Sequence, residues 1–299
     1  MADSDDSKKY ALINVGDWSK PANTLVDKIS DAIGGIAKPW QIKRVAEAET
    51  EAEKIRATGQ IEITALHRRA ARRFLMEEAK RQHNIESIIS RALPDVSDEA
   101  KPQQVEDDWI ANFFDKCRLI SDEEMQRLWA KVLAGEANGA GKFSKRTVNL
   151  LASLDKNDAM SFSTLCSFCI SVDGVAAGGL SPLIYNLLDE IYAENGIFFM
   201  TCSHLESIGL IHFDNLQGYV RQSLPQRISV QYFDQKLLVD LSPVPATVTN
   251  NTLRVGKVLF TRVGEELAPI CDVQPRTGFI DYLKLVWSRF GYRTELPGG

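Results

Sequence analysis

"LWAKVLAGEANGAGKFSKRT", residues 128–147, decides how this chain folds. An apolar, alanine-rich segment runs into a glycine-spaced loop and then into Gly141-Lys142. Two readings compete. A phosphate-binding loop needs Gly, four residues, Gly-Lys, then Ser or Thr, because its backbone N–H groups cradle phosphate, its Lys reaches it and its hydroxyl holds magnesium. The first glycine would have to stand at position 136, which is Glu136, and Lys142 is followed by Phe143. The segment before the loop carries Leu128, Trp129, Val132 and Leu133 at three- and four-residue spacing, which predicts a helix where a phosphate loop would follow a strand. The stretch therefore reads as two helices joined by a turn whose glycines supply positive φ, with those four side chains buried.

The same helical logic extends on both sides. "DDWIANFFDKCRLI" (residues 107–120) places Trp109, Ile110, Phe113, Phe114 and Cys117 on one face. Ser121, with Glu124 three residues on, has capping-box spacing for the next helix, whose buried stripe starts at Met125. Ser144 is placed to cap a third helix carrying Val148, Leu151 and Leu154. Asp155 to Asp158 restart a fourth, with Met160, Leu165, Phe168 and Cys169. Residues 94–172 are thus expected to form a helical bundle domain. It is entered through Pro94 and an acidic linker up to Asp108.

Upstream, residues 1–20 read as a disordered tail and residues 21–93 as an amphipathic helix followed by a long helical arm. Val26, Ile29, Ile33, Ile36 and Trp40 recur at helical spacing, as a helix packed on the protein requires; the alternative is a membrane-surface helix over residues 25–40. From Gln41 to Leu93 the chain is rich in Ala, Glu, Lys, Arg and Gln, with a thin apolar stripe through Ile42, Val45, Ile55, Ile63, Leu66, Ala70 and Phe74. Such a stripe suits a coiled coil or an extended arm better than a deep core. One helix of that length would span about 75 Å. Downstream, residues 173–299 gain glycine, β-branched residues and alternation. "MTCSHLESIGLIHF" (200–213) predicts a short helix ended at Gly209 and a strand from Leu210 to Phe213. "RISVQYF" and "KLLVDL" read as strands, "LRVGKVLFTRVGEELAPI" as a strand, a turn at Thr261 and a helix, and "GFIDYLKLVWSRF" as a last helix. The expected fold is mainly α with a smaller α+β part: a long N-terminal helix, a helical bundle and a C-terminal winged-helix-like domain.

Composition narrows function by exclusion. The chain has 299 residues and a net charge of -5, so no global basic signal points to nucleic acid. Its N-terminus, "MADSDDSKKY", lacks the apolar core of a secretory signal, and no run approaches the roughly 18 apolar residues that span a bilayer. Five cysteines, an odd number in a large chain, argue against a disulfide framework and for a reducing cytoplasm. Cys166 and Cys169 have CxxC spacing, and Cys202 with His204 could complete a zinc set, but the apolar setting of the first pair favours cysteine as core filler. None of the four histidines stands at a nucleophile or metal spacing, so no catalytic residue and no cofactor is expected.

One basic cluster stands out. "HRRAARR" puts Arg68 and Arg72, and Arg69 and Arg73, one turn apart on adjoining rows. Such a stripe can line phosphates or face a partner protein, and Glu77, four residues past Arg73, favours the solvated or partner-facing surface. The helix around "TCSHLESIG" carries no Lys or Arg, which counts against it as a reader of DNA.

The segment from Glu106 to Ala159, with "HLESIGLI" and "FTRVGEELAPI" downstream, resembles an uncharacterised bacterial family defined by a domain of unknown function. More distantly, its "LWA" helix, loop and following helix are similar to the alpha class of abortive-infection proteins. The motif residues are Trp109, Phe113, Phe114, Trp129, Glu136, Phe143 and Arg146, and all are read as structural. What the resemblance implies is a bacterial, mobile-element or host-defence context. The expectation is a non-enzymatic cytoplasmic protein acting by self-association or by binding a protein partner. Nucleic acid and a membrane surface are its alternative partners.

Overall fold

The computed structural model describes residues 18–33, 65–173, 179–241 and 251–295. It is a mixed fold of helices and antiparallel strands, in two compact units, Met1–Ala152 and Ser153–Gly299. The division falls one helix before the change of composition near Asp173. Residues 20–33 and 65–92 lie in the first unit together with the bundle helices.

The first unit is helical: α1 (Lys20–Ile33), α2 (Ala65–Ala92), α3 (Asp107–Cys117), α4 (Glu123–Asn138) and α5 (Lys145–Leu151). α1 buries Ala22, Leu25, Val26 and Ile29 and packs on α3 and on a 3-10 turn at Pro102–Gln104, with Lys28 Nζ 2.8 Å from Asp107 Oδ1. The face a membrane would take is thus covered by protein over these residues; Ile36 and Trp40 lie outside the described residues. So does the expected helix from Gln41 to Thr64. The acidic linker is held in place: Val96, Ala100, Pro102 and Val105 are buried. Trp109 stacks on Phe113 at 5.1 Å, and Phe113 meets Trp129 edge-on at 5.0 Å, so the aromatics of α3 and α4 make one core. Leu128, expected buried, is only half-buried. The cap of α4 is Asp122, not Ser121: its carboxylate accepts from Glu124 N and Met125 N, both at 3.0 Å.

The second unit begins with α6 (Lys156–Cys166), capped by a true box in which Asp155 accepts from Asp158 N at 2.9 Å and Asp158 accepts from Asp155 N at 3.0 Å. The helix ends at Cys166. Cys169, expected on it, opens the strand β1 (Cys169–Val172), and Met160 is exposed rather than buried. The β-branched Ile170 and Val172 carry that switch from helix to strand. There follow β2 (Ser181–Pro182), α7 (Glu190–Ala193), α8 (Phe199–Ser207), β3 (Ile211–Phe213), β4 (Tyr219–Leu224), β5 (Arg227–Tyr232), β6 (Gln235–Asp240), β7 (Asn251–Gly256), β8 (Val258–Phe260), α9 (Arg262–Leu267), α10 (Phe279–Arg289) and β9 (Arg293–Glu295). One antiparallel sheet runs β2-β1-β5-β6-β9, while β3 pairs with β8 and β4 with β7. Residues 211–224 and 251–260 thus form a ribbon of two successive strand pairs, and the β5–β6 hairpin lies between its two sides in the chain. Phe279 of α10 sits among Phe168, Tyr232 and Tyr192 at ring distances of 5.1, 5.1 and 6.5 Å. The buried tyrosine hydroxyls are satisfied, Tyr192 donating to Leu183 O at 2.6 Å and Tyr232 to Ser167 O at 2.9 Å.

Candidate functional site

The glycine loop settles first. Glu136, at the end of α4, is buried, and its two carboxylate oxygens accept from Gly141 N at 2.6 Å and Phe143 N at 2.8 Å. The N–H groups that a phosphate would take are filled by the chain's own carboxylate. Only Gly141 of the loop has positive φ, at 83°; Gly139 is extended and Gly135 is helical. Gly135 is small for another reason, since a Cβ there would meet the Phe143 ring at 2.6 Å. Ser144 caps α5 as expected, accepting from Thr147 N at 3.3 Å.

The metal-site candidates have other surroundings. Cys166 and Cys169 are buried, and the Cys166 thiol lies against the thiols of Cys169 and Cys271. Burial drives the Cys166 thiol well above its usual range, and burial pushes Cys202 up to about 12. Neutral thiols of this kind are weak ligands and weak nucleophiles. His204 turns elsewhere, its Nε2 2.6 Å from Asp158 Oδ1. Burial opposes ionisation of Asp158, but the His204 contact and the Asp155 N–H outweigh it and hold the carboxyl below its usual range. Among the described residues, no three His, Cys, Asp or Glu side chains gather so as to hold a metal ion.

The surface with the clearest chemistry is α2, which is two different helices in one. Its C-terminal half is anchored: Ile88, Ile89 and Ala92 are buried, and α2 packs on α4. A polar knot fixes the register. Asn84 Nδ2 donates to Arg118 O at 2.9 Å, Gln126 Nε2 donates to Ile120 O at 2.9 Å, and Ser87 Oγ donates to Gln126 Oε1 at 2.8 Å. Its N-terminal half, by contrast, buries no described side chain. Leu66, Phe74, Leu75 and Met76 are between 61% and 67% exposed. Around them stand Arg68, Arg69, Arg72 and Arg73, all exposed. Arg73 makes the i,i+4 contact to Glu77 at 3.5 Å that the sequence predicts. Neither an ion pair nor a hydrogen bond engages Arg68, Arg69 or Arg72 among the described residues. Side chains four apart on a helix repeat about every 6 Å, so the two arginine rows form one cationic stripe.

Sequence reasoning found these arginines but missed the knot that holds the helix out, because Asn84, Ser87 and Gln126 come together only in three dimensions. It also missed an exposed apolar surface on α8, signalled by the run Phe198-Phe199-Met200.

These residues define a class by their chemistry: a unit helical over its described residues and presenting a cationic, partly apolar helix, followed in the chain by a unit of helices and strands. A family model for proteins of unknown function, DUF2806, matches residues 68–284, and the chain belongs to that family. Neither a curated protein nor a solved structure matches it.

Proposed function

We propose that this chain is a non-enzymatic interaction protein of the bacterial cytoplasm that works by self-association or by binding a protein partner. The observation that carries the reading is the exposed half of α2. Four large apolar side chains and four arginines stand in solvent on one helix. Exposed apolar surface of this kind, bordered by charge, is a usual mark of a contact site. The exposed helix would serve as an arm, of the coiled-coil kind or docked on another surface. In the second unit, α6, α7, α8 and the ribbon of β3 and β8 would act as a winged-helix-like module with the β5–β6 hairpin inserted in its wing. Phe199 and Met200 on α8, with no Lys or Arg on that helix, suit a protein-binding module better than a DNA reader. The abortive-infection resemblance extends the reading to anti-phage defence.

The test is affinity capture of the intact chain from its host, with native mass measurement of whatever assembles. A strictly monomeric chain that captures nothing would sink the interaction reading. Unchanged phage plaquing after deletion of the gene would sink the defence part. A second reading, DNA binding, draws on the arginines without partners; a gel shift that weakens with salt would support it, and no shift at low salt would remove it.

A further inference from the structure

The second unit carries a surface whose chemistry complements α2. Phe199 and Met200, in the first turn of α8, are 50% and 75% exposed, and Leu216, in the β3–β4 connection, is 92% exposed. β3 links them. The Phe199 ring meets Phe213 of β3 at 5.4 Å, and Phe213 N donates to Glu206 of α8 at 2.8 Å. Asp214 holds the turn that carries Leu216, accepting from Leu216 N at 2.9 Å and Gln217 N at 3.1 Å. Glu206 and Asp214 thus border the apolar residues with negative charge, and both charges act on the nearby Tyr219 hydroxyl. One cation stands at this edge: Lys257 donates to Asn215, through its carbonyl at 2.5 Å and its Oδ1 at 2.9 Å, and its charge acts on Asp214, so two carboxylates face one ammonium and the edge keeps a net negative charge.

An apolar surface with anionic edges fits a helix that shows apolar side chains between cations. α2 is such a helix. At 100° per residue Met76 falls between Arg72 and Arg69, and Leu75 falls beside Arg68. Pairing of α2 with a second α2 is disfavoured, because its exposed half carries Arg68, Arg69, Arg72 and Arg73, with Lys80 just beyond, against Glu77 and Glu78. Opposite charge across a contact favours the encounter and rejects the like-charged alternative. We infer that the exposed face of α2 in one copy, through Leu75, Met76 and its arginines, docks on the α8 surface of a second copy. The contact is head-to-tail, so copies add in series and close into a ring or extend as a filament. This inference rests on the self-association reading above and names both halves of its contact.

Native mass of the full-length chain tests it, by mass photometry and light scattering across concentration and ionic strength. The wild type is expected above monomer mass at low salt and to dissociate as salt rises. Two variants each remove one half: Met200→Asp with Leu216→Asp on the α8 surface, and Arg69→Glu with Arg72→Glu on α2. All four positions are exposed, and circular dichroism melting confirms folding. Each variant alone is expected to be monomeric, with association weakened more than about tenfold. Mixed, the two are expected to form a one-to-one dimer and nothing larger, since each keeps the half that the other lacks. A monomeric wild type, or a mixture that stays monomeric, overturns the inference. So does an assembly unaffected by either variant, which leaves self-association standing through another contact. A monomeric wild type that captures a different protein overturns it too, and leaves the partner-binding reading standing.

Discussion

Two buried tryptophans of one core pose opposite problems. Trp109 donates its Nε1 proton to Phe143 O at 2.7 Å, whereas Trp129 Nε1 has no partner among the described residues. A buried donor without a partner costs free energy, and deleting it recovers part of what the lost ring volume costs. Trp129→Phe is therefore expected to destabilise less than Trp109→Phe, which orphans the Phe143 carbonyl by about 1–3 kcal/mol. Chemical denaturation of the two variants checks the order, and the reverse order would refute it. Glu136 is the harsher case. Glu136→Ala leaves Gly141 N and Phe143 N without their acceptor and is expected to cost about 2 kcal/mol or more, read the same way. Of these effects the sequence shows the residue types and their apolar setting. It does not show which indole finds a carbonyl, because that carbonyl is 34 residues away in the chain.

At the scale of elements, the ribbon depends on one kink. Gly256 has φ 95°, a conformation that side chains rarely adopt, and a Cβ there would run into the Ile184 carbonyl. Gly256→Ala is expected to destabilise the second unit by about 2 kcal/mol or more, measured as a fall in its melting temperature. The start of α6 gives a pH-dependent test. Asp158 is held below the usual carboxylate range in the folded state, so its contribution is full above its unfolded value near 4. That contribution is lost as pH falls through the lower, folded value. Asp158→Asn should therefore lower the melting temperature at pH 7, and the difference should shrink as pH falls below the unfolded value near 4. A difference that grows on acidification would contradict this assignment. The capping box at Asp155 and Asp158 is legible in the sequence, being local in the chain. His204 as third member is not, since it comes from another helix.

For the whole molecule, two compact units imply two cores. Calorimetry of the full chain is expected to resolve two transitions, with Glu136→Ala moving one and Gly256→Ala the other. A single transition shifted equally by both would show that the units unfold together. Hydrogen exchange should likewise divide α2, with residues 65–80 exchanging well before residues 84–92. The difference follows from burial: the later residues pack on α4 and the earlier ones on nothing described.

The amino-acid sequence by itself determined the helices of the first unit, the cap at Ser144, the helix start at Asp155 to Asp158, two strands read at residues 227–233 and 236–241 and found within one residue of those bounds, and the arginine stripe. Each rests on side-chain periodicity or on a hydrogen bond reaching three residues along the chain. The tertiary structure decided the unit boundary, the strand at Cys169, the coverage of α1 and the pairing of His204 with Asp158. It also decided which half of α2 is exposed and that β3 links Phe199, through Phe213, to Glu206 and to the turn at Asp214. These depend on contacts between residues far apart in the chain, whose free energy is set by packing and burial rather than by local spacing.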